Sequence, residues 1–183
     1  MNAIAAAKLA ECMGLSELRA GCHILRDARR WREGEIFVTD LWYAAIHPSF
    51  HDDAILCYAA TEETEFRGKR FEAWRRAGLL LNHQDRQPTI AWVPVEDDLL
   101  RPVVANLDLM ARTGSGSLDG IGYEVCFPSG DLDACITFGN PVLPELCEIE
   151  AALYETGRRV ADATKEAEIV AYTQVWRKFL SRK

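Results

Sequence analysis

From Ile121 to Phe138 the chain alternates in a way that few folds accommodate. Ile121, Tyr123, Val125 and Phe127 are separated by Gly122, Glu124 and Cys126, and Leu132, Ala134, Ile136 and Phe138 by Asp133, Cys135 and Thr137. Two period-2 runs rich in β-branched and aromatic residues, joined through Pro128-Ser129-Gly130-Asp131, predict an antiparallel hairpin over 121–138 with one apolar face. The register follows from the loop. With Gly130-Asp131 as a two-residue loop, or 129–132 as a four-residue one, Val125 faces Ile136 and Cys126 faces Cys135. With Ser129-Gly130 as the loop, Cys126 faces Asp133 instead. Either way Glu124 and Asp133 lie on the second face, which suits a sheet wet on that side.

The rest of the chain supplies helices and further strands. Residues 2–13 and 16–31 have helical spacing on either side of Gly14, and the second ends in the basic stretch 26–32. Residues 35–38, 54–60 and 89–95 read as strands, 82–88 as a polar loop, and 39–50 as undecided between helix and strand because Pro48 interrupts it. Residues 61–80 open with Thr-Glu-Glu-Thr and turn basic later, as a capped helix does. Residues 96–112 open with three acids and carry Leu99, Leu100, Val103, Val104 and Leu107, again a helix, followed by a loop at 113–119. From Pro144 onward Leu146, Ile149 and Leu153, then Ile169, Tyr172 and Trp176, mark helices, with a break expected at Gly157. The expectation is a single α+β domain over 1–183, with a mostly antiparallel sheet flanked by N-terminal and C-terminal helices.

Charge and cysteine usage narrow the functions. The net charge is −7, and between Val93 and Gly157 twelve acids stand against Arg101 and Arg112, a local balance of −10. That distribution disfavours nucleic acid, whose phosphates need a positive surface, and favours a protein partner with a basic one. No run is long and apolar enough for a membrane span. The start lacks the basic leader and apolar core of a secretory signal. The six cysteines show no metal-finger spacing, and the expectation is a cytoplasmic chain with reduced, buried thiols rather than a Cys126–Cys135 disulfide.

Two chemical readings follow. In the first the chain is a non-catalytic binding protein that neutralises or masks a partner, as immunity proteins, inhibitors and secretion chaperones do. Glu96, Asp97, Asp98, Glu124, Asp131 and Asp133 are then the contact residues. No nucleotide fingerprint and no nucleophile motif is present, so no cofactor is expected. In the second, His47, His51 and Asp52 hold a transition metal for hydrolysis, since imidazole and carboxylate are suitable ligands. This fragment superficially resembles the His-Asp pair of metal phosphohydrolases. That family carries the pair on a helix, which Pro48 opposes here. His83 with Asp85 forms a lesser acid–base candidate, and a homodimeric assembly module is a third possibility for the chain as a whole.

Overall fold

A computed structural model describes residues 3–13, 38–66, 69–83, 85–105, 120–128 and 133–180. Helix α1 (Ala3–Cys12) precedes strands β1 (Val38–Pro48), β2 (Asp53–Thr61), β3 (Thr64–Phe66), β4 (Lys69–Phe71), β5 (Trp74–Asn82) and β6 (Thr89–Pro94). The short helix α2 (Arg101–Val104), strands β7 (Ile121–Pro128) and β8 (Asp133–Gly139), and helices α3 (Pro144–Thr164) and α4 (Ala167–Phe179) follow. Six strands form one sheet in the order β6-β5-β2-β1-β7-β8, every pairing antiparallel, and β3-β4 is a separate small hairpin. With helices at both ends of the chain, this is the expected α+β architecture. Among the described residues no helix is long and apolar enough to cross a membrane.

The hairpin adopts the register in which Val125 meets Ile136 and Cys126 meets Cys135. The two cysteines are joined by a disulfide, contrary to the expectation of reduced thiols. Redox compartment argued against that bond, but the two-residue period decides what the strands bring together. Cys57 is free and fully buried, and burial pushes its thiol up.

The described part of 61–80 holds the end of β2, the β3 and β4 strands and most of β5 rather than a helix. In β5, Ala77, Leu79 and Leu81 enter one core while Gly78 and Leu80 meet the other side of the sheet. Burial on both faces makes a continuous apolar run, which hides the alternation. The undecided 39–50 segment is β1 as far as Pro48, the strand's last residue, and a turn at 49–50. The 96–112 helix contracts, among the described residues, to Arg101–Val104; its expected first turn is a non-helical approach. The expected helix at 16–31 and the basic stretch within it lie outside the described residues, as do 113–119 and most of the 35–38 strand.

The main core lies between one sheet face and α3 and α4, around Trp42, Leu56, Leu79, Tyr123, Leu153 and Trp176. Each such large side chain contributes about 1.5–3 kcal/mol on burial. Helix α3 runs through Gly157 without a break. A Cβ there would stand 2.7 Å from Trp176 Cζ3, so the glycine admits the indole. The helix stops instead at Lys165, in the left-handed region at φ 55°. On the opposite face α1 lies over Gly78, with Leu9 and Met13 against it. Arg76 donates to the Met13 carbonyl at 2.8 Å and stacks on Trp74 and Trp92, which fastens the end of α1. Toward β8 that face opens to solvent, where Cys135 and Thr137 are exposed, as the wet second face predicted.

Candidate functional site

Rows across the sheet decide which residues meet. One row runs Pro94, Arg76, Ala59, Leu41, and the β7–β8 turn closes beside it at Pro128 and Asp133. The chain leaves β6 at Pro94 into Glu96, Asp97 and Asp98. The loop carrying these three acids and the turn carrying Asp133 therefore lie at one end of the sheet. Asp131 lies in that turn but outside the described residues. Glu124 is elsewhere, midway along β7 between Ala45 and Thr137.

At this acidic end the carboxylates differ in what they touch. Asp98 Oδ1 accepts from Trp42 Nε1 at 2.9 Å and from the Leu100 and Arg101 N–H groups at 2.9 and 3.2 Å. It thereby joins the loop to the sheet and caps the turn into α2. Asp97 pairs with Arg159 of α3, and Asp40 of β1 with Arg101. Glu96 is exposed. Asp40, Asp98 and Arg101 line a cleft of about 180 Å³ together with Trp42, Leu41, Val104 and Phe127. Tyr58 stacks on Trp42, and its hydroxyl is pushed up to about 12 by burial and by the Asp98 and Asp40 carboxylates, with Arg75 opposing.

The opposite end gathers the histidines. The row Thr89, Leu81, Ala54, Ile46 brings the start of β6 to the β1–β2 turn. His83, whose side chain is 7% exposed, stands between two carboxylates. Its Nδ1 is 2.6 Å from Asp52 Oδ2, and its Nε2 is 3.1 Å from Thr89 Oγ1 and 3.2 Å from Glu168 Oε2. Arg86 and the Thr89 hydroxyl also donate to Glu168 and hold its carboxyl below the ordinary carboxylate value, the threonine contributing most. An open depression of about 820 Å³ lies beside this group, lined by Phe50, His51, Asp52, His83, Asp85 and Arg86. Tyr172 of α4 is buried nearby. Burial, with Asp53 and Asp52, pushes its hydroxyl upward, and that hydroxyl has no hydrogen-bond partner among the described residues.

The residues expected to hold a metal are sent to three different partners. His47 Nδ1 pairs with Asp53 at 2.9 Å, the His51 ring lies edge-on to Phe179, and Asp52 binds His83. His83 pairs with Asp52 rather than with Asp85, the expected partner, although Asp85 lines the same depression. Both His83 ring nitrogens are engaged by the chain itself, so the group works as a clamp from β5 and β6 to the β1–β2 turn and α4. Trp42, Asp40, Arg101 and Glu168 were not singled out in the sequence. Each meets its partner across more than fifty residues, and no local motif signals that.

One further group stands apart from both ends. Glu124 Oε1 lies 3.8 Å from Cys126 Sγ on the open face of the hairpin. Comparisons with protein-family models, with curated proteins and with solved structures find no match to this chain.

Proposed function

We propose that the chain is a non-catalytic binding protein that occupies and neutralises a protein partner by presenting the acidic end of its sheet to a basic surface. The observation that carries this reading is the Trp42–Asp98 hydrogen bond, which draws the Glu96–Asp98 loop from β6 across to β1, at the end of the sheet where β7 ends and β8 begins. The cleft beside Asp98 supports it. Trp42, Leu41 and Phe127 suit the aliphatic stem of a lysine or arginine, and Asp40 and Asp98 suit its charged head. Arg101 holds Asp40 within the chain, so an incoming cation competes with an internal one. Such an arrangement favours rapid, salt-sensitive encounter.

The test is affinity capture from the native host at low salt, with the eluted partner identified and its stoichiometry measured. A stoichiometric partner with a basic surface, released as salt rises and lost on combined Glu96→Lys and Asp131→Lys substitution, supports the reading. No partner at low salt, or one indifferent to both substitutions, overturns it.

A further inference from the structure

The open face of the β7–β8 hairpin holds three potential ligands in a fixed frame. Among the described residues, Glu124, Cys126 and Cys135 are the one group of His, Cys, Asp or Glu side chains whose ligand atoms all lie within 4.8 Å of one another. Cys126 and Cys135 are directly opposed, with Cα atoms 4.2 Å apart, and Glu124 precedes Cys126 by two residues on the same face. Pairing of β7 to both β1 and β8 fixes that spacing without help from the disulfide. We propose that reduction of the Cys126–Cys135 disulfide converts this group into a binding site for a divalent metal ion of the zinc class.

The chemistry balances with a dithiol as reductant. The dithiol gives up two electrons and two protons and closes to its own disulfide, while the Cys126–Cys135 bond breaks to two thiols. The metal then displaces both thiol protons to solvent and binds two thiolates and the Glu124 carboxylate. Tetrahedral zinc with Zn–S bonds of about 2.3 Å sets two sulfurs about 3.8 Å apart, a small opening from the bonded pair. Two thiolates and one carboxylate suit a borderline-soft ion better than magnesium or calcium. Cys135 is exposed, so reductant and metal reach the site from its side, while Cys126 is buried and Glu124 half-buried. The metal replaces the covalent bond as the link between β7 and β8, so the hairpin stays pinned in either redox state. This inference stands apart from the acidic end, and neither depends on the other.

The full chain is reduced with a phosphine, freed of it under anaerobic conditions, and titrated with cobalt(II). One cobalt per chain, with near-ultraviolet thiolate-to-cobalt absorption that zinc abolishes, is expected for reduced protein and not for oxidised protein. Cys126→Ser and Cys135→Ser each weaken binding about tenfold or more, and Glu124→Gln weakens it several-fold with the absorption retained. A reduced wild-type chain lacking this absorption, or absorption unchanged in Cys126→Ser, overturns the inference. Should the serine variants fold poorly, alkylation of reduced wild-type protein decides. Zinc must shield the exposed Cys135 while leaving the exposed Cys12 reactive, and an unshielded Cys135, or equal shielding of both, overturns the proposal.

Discussion

Replacing Tyr123 by Phe removes a single hydroxyl from the middle of the main core and disconnects three elements. That hydroxyl donates to Glu150 Oε1 of α3 at 3.0 Å and accepts from Trp176 Nε1 of α4 at 2.8 Å. Tyr123, Glu150 and Trp176 are 1%, 2% and 0% exposed, so water cannot take over either bond. An orphaned buried donor costs about 1–3 kcal/mol, and a carboxylate that loses a donor costs more than a neutral acceptor. Together the loss is about 3 kcal/mol. At about 2–4 °C per kcal/mol for a chain of this size, the melting temperature falls by about 10 °C. In urea the midpoint falls by more than about 1 M with an unchanged slope of about 2 kcal/mol/M. Tyr172→Phe is the internal control. It too lies beside Trp176, but its buried hydroxyl has no partner among the described residues, so its removal is neutral or stabilising by up to about 1 kcal/mol. A Tyr123→Phe loss below about 0.5 kcal/mol, or equal losses in the two variants, refutes the assigned network.

Gly157→Ala should gain about 1 kcal/mol of helix propensity yet lose about 2 through contact with Trp176, a net destabilisation of about 1 kcal/mol by urea unfolding. Phe50 is 92% exposed at φ 64°, so Phe50→Gly should stabilise by about 0.5 kcal/mol while Phe50→Ala, which keeps the Cβ, does not. Arg158 Nε and NH2 each donate to the Glu155 carboxylate at 2.7 Å, and these bonds hold its pKa below the ordinary 4.5. A depressed carboxyl contributes stability above 4.5 and loses it as pH falls through the lower folded value. The gap in melting temperature between wild type and Glu155→Gln should therefore be present at neutral pH and close on acidification below 4.5.

Legibility in the sequence followed solvent exposure. The hairpin could be read down to a choice between two registers, one of which pairs Cys126 with Cys135, because one of its faces meets water and alternation survives. The strand near 89–95 and the described terminal helices were readable for similar reasons, whereas 54–60 was readable only as a short apolar run, since β2 is buried on both faces. Residues 61–80 misled because β5 is buried on both sides and because Thr61 to Thr64, acidic before a basic stretch, imitates a helix start. The acids at 96–98 also imitate one, but Asp98 spends its carboxylate on Trp42 and two backbone N–H groups. The candidate sites were less legible. His47, His51 and Asp52 are close in sequence, yet a tight turn with Phe50 in the left-handed region sends their side chains apart. The partners of His83 come from three separate elements, and the separation between residues 83 and 168 carries no periodic trace.

The order of the strands sets when the greasy side of the sheet first becomes covered during synthesis. Strands β1, β2, β5 and β6 are complete at Pro94, but the helices that cover Leu79, Leu81 and Val93 begin only at Pro144 and reach Trp176 much later. At roughly 5–20 residues per second, the ribosome leaves that half-sheet bare for roughly 4–16 s. Nascent chains stalled before α3 should therefore be clients for holdase chaperones, and release from them should coincide with emergence of the α3–α4 pair.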